Sequence, residues 1–398
     1  MRSNEELRQA ADVAVVGGGV VGLAVARAVA RRGLSVTLVE GRQPGAGASA
    51  AASGMLSPQA EADRPDEFFE LLCASRDMYP AFAAALLEES GVDIELDQTG
   101  TLYLALGEED EEELERRHAW QSRAGLAVEL LTPEDVRALE PAVTPRVRLA
   151  LRFPRDWQVE NRQLVRALAA SALRAGVRIL THTEARGVRV VGGRVAGVET
   201  SRGTLSAGAV VLAAGAWASR VPLLEAGRDG RDARTRGFEH PTVEPVRGQM
   251  LCFEHAAVEM PALRHVAYSP RGYLVPRRDG RLLAGSTTEE AGFDCSLTAG
   301  GVHAVAAHAL EIAPGVANLR LADAWAGLRP RASDDWPVLG ESAEVGGLFY
   351  ATGHYRNGIL LAPATGEALA GLVVDGASAL LPRAVQLFSP ARFRALIG

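Results

Sequence analysis

Residues 12–40, DVAVVGGGVVGLAVARAVARRGLSVTLVE, constrain the fold more than any other stretch of the chain. Val13–Val16 is a β-branched run suited to a buried parallel strand. It leads into Gly17, Gly18 and Gly19. From Val20 to Arg31, apolar and alanine residues recur at helical spacing, and Gly33 supplies a stop. Leu34–Val39 reads as a second strand, closed by Glu40. The order is strand, glycine turn, helix, strand, acid. Gly17 permits the tight turn, Gly19 lets a pyrophosphate approach the backbone, and Gly22 lets the helix lie against the strand. The helix N-terminus faces the diphosphate, and Glu40 is placed to accept from ribose hydroxyls. The stretch reads as a dinucleotide site, and an acid at residue 40 argues against a 2′-phosphate. Both FAD and NAD(H) satisfy it.

At 398 residues the chain is too long for one ordinary core, which suggests two domains. With 47% hydrophobic residues it can bury a large interior, and a net charge of −7 argues against a nucleic-acid partner. Cys73, Cys252 and Cys295 are widely spaced and read as free thiols in a reducing compartment. The polar opening residues carry no signal-peptide pattern, and Val13–Ala30 is too short and too glycine-rich for a membrane span. The cytoplasm is the expected location. The histidines show no metal-ligand spacing, so no metal is expected.

Further along, Ala48–Gly54 is a run of small residues able to pack against a large flat ligand, followed by Met55. Pro65–Gly91 has the spacing of a long amphipathic helix. Val92–Leu106 reads as strands about a Gly100 turn, and Glu108–Ala124 as a solvated helix. Thr132 caps a short helix over Pro133–Leu139. Asn161–Gly176 is amphipathic and precedes strand Arg178–Leu180. A meander about Gly192-Gly193 takes in Thr204-Leu205 and ends in strand Ala209–Ala213, which returns the chain to the dinucleotide sheet and runs into Ala214-Gly215-Ala216-Trp217. Trp217 is expected to cap an apolar pocket, as a core residue rather than a substrate contact. Residues 226–241 read as a loop or lid. Thr242–Phe253 reads as a strand pair across Arg247-Gly248, and residues 272–285 as a hairpin around Asp279-Gly280. Ala299–Ala313 is a helix, and the segment from His354 opens the last one.

The order of VVGGGVVGLAVA, SAAASGMLSPQAE, AAGAW, GYLVPRRDGRLLAGSTTEEAGFD, WAGLRPRASDDWPVLG and ATGHYRNGILLAPATG resembles the D-amino-acid oxidase and sarcosine oxidase family of FAD-dependent amine oxidases, its glycine oxidases above all. The resemblance covers nearly the whole chain and selects FAD, bound non-covalently, over NAD. It implies an α/β (α+β overall) fold: a Rossmann-like FAD-binding domain with a parallel central sheet, from residues 10–90, 155–228 and 335–398, plus a largely antiparallel substrate-binding domain from 91–154 and 229–334. It implies cofactor contacts from Gly17, Gly19, Val20, Val21, Gly22, Glu40 and Gly41, and from Ala48, Ser49, Ser53, Gly54 and Met55. Ala185 would lie near adenine. His354, Tyr355, Arg356, Asn357, Gly358, Ile359 and Leu360 would meet the flavin at a helix N-terminus.

On the substrate side, the family pattern puts a carboxylate-binding arginine at Arg329, the active-site tyrosine at Tyr273 and a further pocket residue at Arg356. A planar guanidinium suits a carboxylate because it binds it bidentately. The sequence departs from glycine oxidases at Arg271, where a histidine is usual, and at Thr288, where some members carry methionine; both positions are expected near the pocket. The resemblance implies oxidation of glycine, sarcosine or small D-amino acids by hydride transfer to flavin N5. The products would be an imine and, with molecular oxygen, hydrogen peroxide, in service of thiamine thiazole synthesis. It further implies a homo-oligomer without an integral membrane segment. The alternatives are a D-amino-acid or sarcosine oxidase or dehydrogenase of the same fold, or a non-catalytic FAD-binding subunit that would need neither Arg329 nor Tyr273.

Overall fold

The computed structural model describes residues 9–225, 234–235, 240–254, 263–378 and 386–396. The glycine-turn unit forms as its sequence dictates: strand Ala11–Val16, helix Val20–Ala30 and strand Val36–Val39. Parallel pairing sets these strands in the order Arg178–Leu180, Val36–Val39, Ala11–Val16, Gly203–Leu212, Leu348–Thr352. Both faces of the sheet are covered, which is why Val13–Val16 is continuously apolar. Val13 and Val15 join a core with helices Val20–Ala30, Asn161–Arg174 and Ala362–Asp375. Ala14 and Val16 face the other way, into a core with Val188, Val198 and Leu205.

A second sheet has eight strands, in the order Arg320–Ala332, Val243–Glu254, Arg281–Gly285, Gly272–Pro276, Val266–Ser269, Thr101–Ala105, Leu149–Phe153, Glu129–Leu131. All its pairings are antiparallel except Val266–Ser269 with Thr101–Ala105. Helix Ala299–Ile312 seals one face, while Met250, Cys252, Tyr273 and Leu283 form a small cluster of their own. The mixed α/β class, one sheet parallel at its centre and the other mostly antiparallel, is the one expected. Among the described residues no helix is long and apolar enough to cross a membrane.

Several elements differ from expectation, each for a local reason. Thr204-Leu205 and the Ala209 segment are not two strands: one ten-residue strand, Gly203–Leu212, pairs antiparallel with Arg194–Thr200 at one end and parallel with Ala11–Val16 at the other. Gly197, at φ +137 and opposite Ser206, lets the pair pass closely, since a Cβ there would sit 2.0 Å from the Leu205 carbonyl. Val243–Glu254 is a single strand rather than a pair, because Gly248 lies in register opposite Gly327 instead of turning. Between Val92 and Gly100 no strand forms. Asp93 accepts from Glu95 N and Asp97 from Thr99 N, local bonds that compete with a ladder. Helix Glu108–Arg123 is not wholly solvated: Asp110, Leu114, Arg117 and Gln121 are buried. The last helix begins at Ala362, not His354, because Tyr355 is left-handed at φ 46 and the chain turns at Asn357. Residues 226–233 and 236–239 lie outside the described residues, and with them most of the expected lid.

Candidate active site

A cavity of about 850 Å³ runs from the glycine turn to the inner face of the second sheet, far more than a small amine needs. Gly17 sits at φ +108 with its Cα against Ala213, where a Cβ would fall 2.4 Å from the carbonyl oxygen. A Cβ on Gly22 would fall 2.0 Å from the Gly17 carbonyl, so the helix reaches the strand only because that Cβ is missing. Glu40 accepts from Gly18 N at 2.7 Å and from Arg42 N at 2.8 Å, which holds its carboxylate at the cavity wall. Ser49 Oγ accepts from Val20 N at 2.9 Å, so the first amide of the helix is already engaged.

Of the residues expected around the cofactor, Gly17, Gly19, Val20, Val21, Glu40, Gly41, Ala48, Ser49, Ser53, Met55, Ala185, His354, Tyr355, Arg356, Gly358 and Ile359 line this cavity. Gly22 lies behind the turn. Gly54 and Asn357 line a small pocket of about 30 Å³ that shares Ser53, Glu61 and Arg356 with the large one. Leu360 is in the core, its carbonyl accepting from Ser75 Oγ at 2.7 Å. Arg277, buried under the small-residue segment, donates to the carbonyls of Ser53 and Val159 and to Gln158 and Asn161 side chains. Burial pulls this arginine down to about 10. His354 is buried, with Nε2 3.0 Å from Thr365 Oγ1; desolvation pulls it down to about 4, so the ring is neutral at pH 7.

At the far end, the cavity brings together Arg329, Tyr273 and Arg356. Arg329 projects from strand Arg320–Ala332, where Nη1 donates to Thr287 O at 3.1 Å and Nη2 to Ser286 Oγ at 2.7 Å. No carboxylate pairs with it among the described residues. Desolvation, with a smaller push from the Arg356 charge, lowers this arginine from its ordinary value. Room for it comes from Gly248 on the adjacent strand, where a Cβ would lie 2.3 Å from Nη2. Tyr273 is buried, and among the described residues its hydroxyl bonds to the Met250 sulfur alone, at 3.3 Å. A thioether is a weak acceptor, so the hydroxyl is available to a better one. Tyr268 stacks on Tyr273 at 6.2 Å and packs edge-on against Tyr103, whose phenol burial raises to about 12. Arg356 lies 3.4 Å from Glu61 Oε1 through both Nε and Nη2, and that carboxylate raises it well above the usual arginine range.

Some expectations at this end are corrected. Arg271 points away from the cavity and pairs with Asp110 and Glu311. Thr288 does not line it either. Trp217 is not a core residue: it is 36% exposed, lines the cavity and packs on Phe293 at 5.4 Å. Sequence reasoning missed Glu61, Gly248, Met250 and Arg220 as cavity residues. Glu61 ends the quoted SPQAE segment, so a signal was present; Gly248 offered none until its strand partner was known.

The profile of the family described as FAD dependent oxidoreductase matches residues 12–372. The chain belongs to that family. Its cofactor is FAD, and the residues present suit it: a cavity long enough for a dinucleotide, glycines at the turn and an acid at the wall. This oxidoreductase is 37% identical over 365 residues to the glycine oxidase of Geobacillus kaustophilus, covering 91% of this chain and 92% of that one. The crystal structure of glycine oxidase from the same organism superposes with a TM-score of 0.87, at 36% identity, covering 96% of this chain and 98% of the other. The bifunctional ThiO/ThiG protein of a Synechocystis strain is 33% identical over 396 residues, which is 97% of this chain and 55% of that protein.

Proposed function

We propose that this oxidoreductase oxidises small α-amino acids and N-methyl amines, glycine first, to the imine, with oxygen as the electron acceptor and hydrogen peroxide as the co-product. The observation that carries the reading is Arg329, a buried guanidinium at the cavity wall whose protein partners are neutral oxygens. Such a group calls for an anion, and its planar fork fits a carboxylate. Arg329 would bind the substrate carboxylate, and the Tyr273 hydroxyl would donate a second hydrogen bond to it. Both would fix the Cα–H bond in one direction, so that positioning does most of the work. The surrounding apolar wall, Met250 and Leu328 among it, would exclude water and favour the neutral amine. When bound, FAD supplies the two-electron acceptor; Gly17, Gly19, Glu40, Ser49 and the His354–Ile359 loop would hold it.

The likeness to glycine oxidases supports glycine as the first substrate to try, and the likeness to a ThiO/ThiG protein supports a role in thiamine thiazole synthesis. A cytoplasmic homo-oligomer is part of the same reading. The test is Arg329→Met in the holoenzyme. A lost charge-assisted clamp of about 3 kcal/mol corresponds to roughly a 100-fold fall in kcat/KM for glycine, carried mainly by KM, with the flavin spectrum intact. Wild-type-like glycine oxidation by this variant would exclude the assigned role. Oxygen uptake on glycine, sarcosine, D-alanine and D-proline, beside dye reduction, ranks the substrates and separates an oxidase from a dehydrogenase.

A further inference from the structure

Two guanidiniums stand at the substrate end, and they are bound into one unit. Tyr355 N donates to Pro330 O at 2.8 Å, and Arg331 bridges His354, so the residues carrying Arg329 and Arg356 are locked side by side. Their surroundings differ. Among the described residues Arg329 bonds to neutral oxygens alone, whereas Arg356 faces Glu61, whose side chain is 17% exposed. The backbone that carries Glu61 is firmly held. It ends the one-turn helix Pro58–Glu61, which is clamped at both ends. Buried Asp156 accepts from Gln59 N at 3.2 Å and Ala60 N at 2.8 Å, while buried Arg117 donates to the carbonyls of Gln59 and Ala62. The Gln59 side chain is fixed in turn by Gln121 and the Ala127 carbonyl.

We propose that Glu61 sets the charge count of the pocket and so selects amines bearing one carboxylate over those bearing two. With Glu61 in place, two cations and one anion leave a single positive charge, matched by a single substrate carboxylate. A second carboxylate would have to lie against Glu61 or go unpaired, and either is costly in a desolvated site. Removing the Glu61 charge frees Arg356 as a second carboxylate clamp. This rests on the reading of Arg329 as the carboxylate site.

The probe is iminodiacetate, which is glycine with a second carboxymethyl group on nitrogen. In the Glu61→Gln holoenzyme, the ratio of kcat/KM for iminodiacetate to that for glycine rises at least fivefold over wild type. Calorimetry shows malonate binding tightening relative to acetate by at least the same factor. Both gains disappear in Glu61→Gln/Arg356→Met. Glu61→Ser carries the same expectation should the amide variant fail to fold. A change below fivefold, or a gain that survives the double variant, overturns the proposal while leaving the Arg329 reading intact. A wild-type enzyme that oxidises no small amine and binds no acetate overturns both.

Discussion

At the residue scale, the site depends on side chains that are missing as much as on those present. Arg329 lies where it does because Gly248 has no Cβ. In Gly248→Ala, the new methyl meets the movable end of Arg329 rather than backbone, so the fold should survive while the guanidinium is displaced. We expect kcat/KM for glycine to fall on the order of 100-fold with an unchanged melting temperature, measured by oxygen uptake and calorimetry. His354 makes a different prediction. Its folded value near 4 lies below the ordinary 6.5, so the unfolded chain takes up the proton first. Its contribution is therefore complete above pH 6.5 and is lost as the pH falls toward 4, amounting to about 3 kcal/mol in all. Denaturation of wild type against His354→Gln across that interval should show the difference shrinking on acidification.

At the scale of elements, sequence patterning was informative where a segment's environment is decided locally. The glycine-turn unit, the Asp279-Gly280 hairpin and the Thr132 cap, whose hydroxyl accepts from Asp135 N, all follow from residues within a few positions. It was silent where the deciding partner is distant. Strand Gly203–Leu212 is one element because its two ends find different partners, and Val243–Glu254 is unbroken because Arg320–Ala332 runs beside it along its whole length. Arg277 is the clearest case: a hairpin residue whose function is to hold the Ser53 and Val159 carbonyls more than a hundred positions away. Arg277→Met leaves both carbonyls unpaired and should cost roughly 3 kcal/mol, read by chemical denaturation. It should also weaken FAD binding, because Ser53 lines the cavity.

At the scale of the whole molecule, the cavity is walled by both sheets, and its substrate end was only partly legible. Arg329, Tyr273 and Arg356 could be picked from motifs, but that Glu61 faces Arg356 follows only from the packing of a short helix against a loop near the other end of the chain. A ligand that touches both sheets should stabilise their joint state. Stripping FAD should therefore lower the melting temperature, and adding it back at about 1,000 times its dissociation constant should restore about 4 kcal/mol. A melt indifferent to FAD would mean that the cavity does not hold it.

Helix Val20–Ala30, near the beginning of the chain, packs on Ala362–Asp375, near its end, and the loop before that last helix closes the cavity wall. On the ribosome, then, the glycine turn is made well before the helix that covers its own apolar helix. The apolar face of the early helix therefore stays uncovered on the nascent chain until the later helix is made, which makes that face a natural target for chaperones.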